Sequence, residues 1–259
     1  EPCSINGLNT LNVFVGTSAS ISLNAFMTTS KASLRRSLAR LCKAGSFSYI
    51  STLHFTKAAK IALERANLDP ADVDLIILAT ITPDMPFPST ACLVQEKIGA
   101  FNSAAFDVEA ACSGFVYALE IGQQFIMSRT YNTVLVIGAE KLSSITDWQD
   151  RNTCVLFGDG AGAAVLQSRE NSHGLLTACM GADGRKASIL SQPGGGSLRP
   201  ACGQSVTDRL HYLRMDGQEV FKNAVTAMTK AAKEALARCE LEVSQIKCII
   251  PHQANMRIL

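Results

Sequence analysis

Part of this chain is written twice. Residues 56–78 and 229–251 agree at 11 of 23 positions with a constant offset of 173. Each copy opens Thr-Lys-Ala-Ala-Lys, keeps an Ala-Leu pair (Ala62-Leu63, Ala235-Leu236) and ends on an apolar pair, Ile76-Ile77 or Ile249-Ile250. Two alanine-rich helices can match by chance, but chance does not keep the register through the connection into a strand. The repeat therefore predicts an α/β chain of two related halves, in which a helix over about 52–67 feeds a buried strand at 75–79 and a second helix feeds a strand ending at Pro251. A first half ending near 167 calls for a copy ending near 340, so the second half is expected to be truncated at Leu259. The division is 1–168 for the N-terminal half, with 1–48 divergent, and 169–259 for a partial C-terminal half.

At 259 residues and 47% hydrophobic, the chain can bury a substantial core. A net charge of +2 and 6% aromatic residues argue against a nucleic-acid surface. The nine cysteines (3, 42, 92, 112, 154, 179, 202, 239 and 248) form no CxxC pair and are scattered through apolar segments. That pattern fits a reducing compartment better than a disulfide framework and argues against a zinc site. The strand-like apolar runs are too short to span a membrane, so a soluble cytoplasmic protein is expected. Residues 2–63 contain no Asp or Glu but carry Lys31, Arg35, Arg36, Arg40 and Lys43. The alternative location is thus an organelle such as a plastid, with the acid-poor start a targeting remnant. Leu11–Gly16 reads as a first strand.

Ala104–Val108 reads as a strand, and Phe115, Val116, Leu119, Phe125 and Ile126 recur near helical spacing after it. Cys112 thus falls in the first turn of a core-packed helix. Unpaired N–H groups and the helix dipole there stabilise a thiolate, and they offer donors to the oxyanion formed when sulfur attacks a carbonyl. The plain alternative is a small buried cysteine. Another strand is expected at Val134–Gly138. Gly158, Gly160 and Gly162 lack the Lys-Ser/Thr of a P-loop and read as a tight turn before a strand at 162–166. Gly194–Gly196 reads as a surface loop.

Of the four histidines, His252 stands out. It follows Ile249-Ile250-Pro251, at the carboxyl end of the second buried strand, the usual edge for ligand chemistry in open α/β sheets. A cysteine at a helix N-terminus and a histidine at a strand end are a plausible nucleophile and proton or hydrogen-bond partner; a structural histidine is the alternative. His54, His173 and His211 read as ordinary residues.

Taken together, Glu109-Ala-Ala-Cys-Ser-Gly-Phe, Phe157-Gly-Asp-Gly-Ala-Gly-Ala, Met215-Asp-Gly-Gln-Glu-Val-Phe-Lys and Pro251-His-Gln-Ala-Asn-Met-Arg-Ile resemble the β-ketoacyl-acyl-carrier-protein synthase III family of the thiolase superfamily. The likeness runs from about residue 52 to 259. It implies a thiolase-like αβαβα layered fold of two pseudo-repeated halves, and a homodimer. It also implies initiation of fatty acid biosynthesis by condensing a short acyl-CoA with malonyl-acyl carrier protein, both as substrates, with no cofactor and no metal. By resemblance Cys112 carries the acyl group, and His252 hydrogen-bonds the malonyl thioester oxygen. Asn255 and Gly217 lie near the pantetheine arm, and Arg151 packs on the CoA adenine. Lys222 and Arg257 dock the carrier protein, and Phe87 reaches across the dimer to bound the partner's acyl pocket.

Three departures accompany the likeness. The family's catalytic asparagine in Gly-Asn-Thr-Ser and its glycine-rich C-terminal loop both belong after residue 259. The Asp-Glu-Trp-Ile motif is absent, since the only Trp is Trp148, and Arg35 and Arg36 only echo the arginines that follow that motif. Impaired turnover is expected of this chain. The rival readings are a type III polyketide synthase or hydroxymethylglutaryl-CoA synthase, a non-catalytic carrier-protein-binding or dimerisation remnant, and a Cys-His hydrolase.

Overall fold

The computed structural model describes residues 19–22, 26–27, 50–168, 174–252 and 254. The strand expected at Leu11–Gly16, and Arg35, Arg36, His173, Asn255 and Arg257, lie outside the described residues. The described residues form two compact units. The first takes those up to Glu140, with Gly160–Ala178 and Val243–Ile249; the second takes Lys141–Asp159, Cys179–Glu242 and the residues from Ile250 on.

In chain order the first unit is built from strands β1 (Ala19–Ser22) and β2 (Phe26–Met27), helix α1 (Ile50–Ala66), β3 (Leu75–Ala79), α2 (Thr90–Ile98), β4 (Ala104–Val108), α3 (Gly114–Met127), β5 (Thr133–Lys141) and β6 (Asp159–Ser168). The strand order is β1-β6-β5-β3-β4, with β2 also on β6. β3 runs parallel to both β4 and β5, while β1 and β2 run antiparallel to β6. All five residues of β3 are buried, as a parallel strand covered on both faces requires, and this is why its sequence is an unbroken apolar run.

The strand period of two sorts the core into two layers. Ile76 and Leu78 of β3, with Leu135, Ile137 and Ala139 of β5, face α1 through Phe55, Ala59, Ala62 and Leu63, and α2 through Ala91, Val94 and Ile98. Leu75, Ile77, Val134 and Val136 face the other way, against Ala118, Leu119 and Ile126 of α3. Phe55, Ala59, Ala62 and Leu63 recur at i, i+4, i+7 and i+8, the stripe that docks a helix on a sheet. At the start of α2, Ser89 caps Cys92 N–H, and the Asp107 carboxylate accepts from Thr90 N (2.7 Å) and Ala91 N (2.8 Å).

Helix α3 lies very close to the sheet. A Cβ added to Gly114 would stand 3.0 Å from Ala79 Cβ, and one on Gly122 would stand 2.9 Å from Leu166 Cδ1 and 3.1 Å from Val134 Cγ1. From the sheet side, a Cβ on Gly138 would fall 2.9 Å from Phe115 Cδ2.

The second unit holds β7 (Leu190–Ser191), α4 (Gly203–Thr207), β8 (Arg214–Met215) and α5 (Gly217–Arg238). β7 and β8 pair antiparallel, and Asp216 caps α5 by accepting from Glu219 N at 3.1 Å. The surface loop expected at Gly194–Gly196 is a loop, although Gly194 is buried, its N–H donating to Leu210 O at 2.7 Å.

The repeat is visible in the backbone. α1 closes through Asn67 in the left-handed region (φ 53°), and α5 closes through Glu240 (φ 54°). Leu68 N donates to Leu63 O at 3.1 Å, as Leu241 N does to Leu236 O at 3.0 Å. Short 3-10 turns then follow at Pro70–Asp72 and Val243–Gln245, each pair of positions displaced by the same 173 residues. There the likeness stops. Where the first copy enters β3 at Leu75, the second makes only a single bridge at Cys248, and Ile249 and Ile250 are exposed. The strand expected before His252 is therefore not formed: among the described residues no ladder flanks 249–251, and an apolar pair without neighbouring strands has nothing to satisfy its backbone.

The glycine run also differs from expectation. β6 begins at Asp159, so Gly160 and Gly162 are strand residues instead of a preceding turn. Asp159 is held by Ser143 N (2.7 Å) and Ser143 Oγ (2.6 Å), and Gly162 pairs with Phe26 of β2.

The close approach at Gly138 yields a paired test. Gly138→Val should lower the unfolding free energy by about 1–3 kcal/mol through overpacking against Phe115. Gly160→Val, where an added Cβ meets nothing within 4 Å, should change it by less than about 0.5 kcal/mol. Urea unfolding with unchanged m-values checks both.

Candidate active site

Cys112 is set by the way β4 hands over to α3. β4 ends at Val108, Ala111–Ser113 form one turn of 3-10 helix, and α3 starts at Gly114. Ala111, directly before the cysteine, has φ 43°. The left-handed region costs an alanine about 1–2 kcal/mol, and such strain persists only where the surroundings enforce it. Here Ser113 N donates to Ala110 O at 3.0 Å on one side of the cysteine, and Gly114 abuts Ala79 on the other. Neither Ala110 nor Ser113 caps the turn with a side-chain hydrogen bond. The placement matches the expectation: Cys112 stands at the carboxyl edge of the parallel strands, at the start of a core-packed helix, and it is exposed.

Its electrostatics differ from the expectation. Although the residue is open to an incoming substrate, enough protein surrounds it that burial pushes the thiol above its ordinary range. The negative charge of Glu140 pushes it further, and Cys112's own N–H offsets only part of this. A single turn of helix dipole does not outweigh lost water and a nearby carboxylate, so the thiol is protonated at neutral pH.

Glu140 is the site residue that sequence reasoning missed. It is the penultimate residue of β5, and burial raises its carboxyl above the usual range against the hydrogen bonds donated by Thr82, Ile81 and Thr80. Its only sequence signal was a lone acid ending an apolar run, opposite Thr80-Ile81-Thr82 after β3.

Phe87 lies in the same unit as Cys112 and is 83% exposed. Arg151, Gly217, Lys222 and His252 belong to the second unit. Arg151 is exposed on a loop ordered by two aspartates: Asp150 accepts from Asn152 N (3.0 Å) and Thr153 Oγ1 (2.8 Å), and Asp147 accepts from Gln149 N (2.9 Å) and pairs with Arg209. Gly217 is the first residue of α5, and a Cβ there would meet only Met215 Cε, at 3.6 Å. Packing does not demand glycine at that position. Lys222 is exposed and pairs with Glu219 at 3.0 Å along the helix. His252 is exposed as well, yet the protein behind its ring withdraws enough water to hold its pKa below the ordinary imidazole value. Because the ring keeps solvent contact the penalty is modest, and the imidazole is neutral at pH 7.

Comparison with known proteins decides the family. The sequence profile of 3-oxoacyl-[acyl-carrier-protein (ACP)] synthase III matches residues 106–184. A beta-ketoacyl-[acyl-carrier-protein] synthase III from Caldanaerobacter subterraneus subsp. tengcongensis is 56% identical over 204 residues, 79% of this chain and 62% of that protein. This chain belongs to the β-ketoacyl-acyl-carrier-protein synthase III family. The synthase III of Natranaerobius thermophilus is 53% identical over 213 residues, 81% of this chain and 65% of its own. The crystal structure of the Aquifex aeolicus 3-oxoacyl-[acyl-carrier-protein] synthase III superposes with a TM-score of 0.74 at 47% identity, covering 82% of this chain and 64% of that one. The fold is thereby thiolase-like α/β, with the first unit's sheet and its two helical faces supplying an α-β-α set of layers. The chain spans 62% and 65% of the length of the two curated relatives. Among the described residues no group of side chains could hold a metal, and no helix is long and apolar enough to cross a membrane.

The raised thiol predicts a pH profile. Alkylation of Cys112 by iodoacetamide, followed by peptide mass, should keep rising at pH values where an ordinary cysteine, with a pKa of about 8.5, has levelled off. A plateau at or below the ordinary value would contradict the burial and charge assigned to the site.

Proposed function

We propose that this chain carries the acyl-transfer chemistry of a β-ketoacyl-acyl-carrier-protein synthase III and initiates fatty acid biosynthesis. The supporting observation is the exposed Cys112 on its strained turn, in a chain 56% identical to a synthase of that name. Cys112 loses its proton as sulfur attacks the thioester carbonyl of a short acyl-CoA. The tetrahedral oxyanion collapses to an acyl-Cys112 thioester, and the CoA thiolate leaves and takes up a proton. Malonyl-acyl carrier protein then loses carbon dioxide. The resulting enolate carbon attacks acyl-Cys112, which releases the sulfur and leaves a β-ketoacyl-acyl carrier protein. His252, neutral at pH 7, donates a hydrogen bond to the malonyl thioester oxygen as charge builds there.

Arg151 supports the CoA adenine. Gly217, with no steric need to be glycine, and Asn255 border the pantetheine arm. Lys222 and Arg257 dock the acidic carrier protein. Phe87, largely exposed, reaches a second copy in a homodimer. The two-half division at 168/169, a cytoplasmic location like that expected of bacterial relatives, and a reaction without a cofactor belong to the same proposal.

Incubation with acetyl-CoA should add one acetyl group to the intact mass, mapped to Cys112 and lost in Cys112→Ser. Absence of the adduct on folded protein would remove the synthase reading and leave a carrier-protein-binding role. Lys222→Glu should leave that adduct intact while raising KM for malonyl-acyl carrier protein about 5- to 30-fold, the effect of reversing a docking charge worth roughly 1–2 kcal/mol. An unchanged KM would show that Lys222 does not touch the carrier protein.

A further inference from the structure

Strand β5 outruns its neighbour. β3 ends at Ala79, in register with Gly138, while β5 continues through Glu140. The Glu140 carboxylate is thereby carried to where the chain leaves β3. Its Oε1 accepts from Ile81 N at 2.9 Å, and its Oε2 accepts from Thr82 Oγ1 at 2.6 Å and Thr80 Oγ1 at 3.4 Å. Both threonines are buried, and Thr82 N donates in turn to Thr80 Oγ1 at 3.0 Å.

This turn reaches the chain on both sides of Cys112. Thr80 N donates to the carbonyl of Val108, the last residue of β4, at 3.1 Å. Ala79 is the residue against which Gly114 packs. A single carboxylate thus holds the short segment that braces the cysteine's turn at its entry and its exit.

Other charged groups on the surrounding elements are engaged elsewhere or open to water, except Asp84, whose Oδ2 is buried without a hydrogen-bond partner. Asp107 on β4 spends its carboxylate on the α2 N-terminus, Glu109 after β4 is exposed, and Glu120 on α3 accepts from Gln124 Nε2 at 2.8 Å. Asp84 follows the turn beside Thr90, whose Oγ1 accepts from Asp84 N at 3.2 Å, and Lys141 is the next residue after Glu140. Among these, Glu140 is the group whose charge acts on the Cys112 sulfur.

We propose that Glu140 is a positioning residue for Cys112: anchored by Thr82, Ile81 and Thr80, it fixes the Thr80–Thr82 turn and places a fixed negative charge in reach of the sulfur. A charge that opposes the thiolate keeps the free thiol protonated until an acyl thioester arrives. This rests on Cys112 being the acyl acceptor.

The test uses the full chain and a probe that needs no substrate. Glu140→Gln keeps a carbonyl to accept from Ile81 N but removes the charge. Its iodoacetamide profile at Cys112 should move to lower pH, with alkylation at pH 7 about two- to fivefold faster, the gain being tempered because nucleophilicity falls with thiol pKa. Thr82→Val serves if that variant does not fold. Freeing Oε2 loosens the carboxylate and favours its protonation, so the shift should have the same direction and be smaller. Unmoved profiles in both folded variants would overturn the proposal even if acetyl-CoA labels Cys112, and the acyl-acceptor reading would then stand alone. Shifted profiles with no acetyl adduct would remove the acyl-acceptor reading and, with it, any positioning role for Glu140 in acyl transfer.

Discussion

Helix α3 can lie on the sheet only because side chains are missing at three places. Gly114 and Gly122 on the helix and Gly138 on β5 each face atoms that a Cβ would crowd to about 3 Å. With α3 so close, the chain leaving β4 must reverse within a few residues, and Ala111 takes the left-handed conformation that this demands. The cost of about 1–2 kcal/mol is offset by burying Leu119 and Ile126, each worth roughly 1.5–3 kcal/mol. Exposure of Cys112 at the sheet's carboxyl edge is a consequence of that packing. The reactive group and the core that holds it are one mechanical system.

The electrostatics of the two sulfur- and nitrogen-bearing groups point the same way. Burial raises the Cys112 thiol and lowers the His252 imidazole, so each is held in its neutral form at pH 7. Each of the two groups thus avoids, in its own surroundings, the cost of carrying a charge where hydration is poor. In the proposed reaction, charge would develop at these groups only during acyl transfer and decarboxylation, which is where hydrogen-bond donors stabilise a transition state more than a ground state. Glu140 is the exception: its carboxylate is held in partly buried surroundings by donors from Ile81, Thr82 and Thr80, and its field opposes a thiolate at Cys112.

Legibility followed the range of the forces. Leu75–Ala79 is a strand at the residues expected, because a doubly covered parallel strand announces itself as a continuous apolar run; Ala104–Val108 is also a strand where expected, although it is only partly covered and carries Asp107. Cys112 was readable from the switch of period between Val108 and Phe115. Glu140 was not, because its importance depends on β5 outrunning β3 by three residues and on Thr80-Ile81-Thr82 curling back to meet it, and such a register is not written in either segment alone. The start of β6 was misplaced for a similar reason: β2 pairs with Ala161 and Gly162 and the strand begins at Asp159, an extension that no local pattern announces.

The repeat separates what a sequence dictates locally from what a sheet must supply. Both copies end their helix through a left-handed residue, fold Leu68 or Leu241 back onto the helix and pass through a 3-10 turn. All of this is decided within a few residues by helix closure and side-chain burial. The next step is not local. Ala59 is fully buried on β3 and its neighbours, whereas its counterpart Ala232 is exposed, and on α5 only Ala235 and Leu236 are buried. Ile76-Ile77 becomes the centre of a sheet because β4 and β5 stand on either side to take its N–H and C=O groups; Ile249-Ile250 has the same side chains and no such neighbours among the described residues. Strand formation belongs to the ladder more than to the segment, so the conformation around His252 depends on whatever pairs with residues 248–251, and the chemistry assigned to that histidine inherits the same dependence.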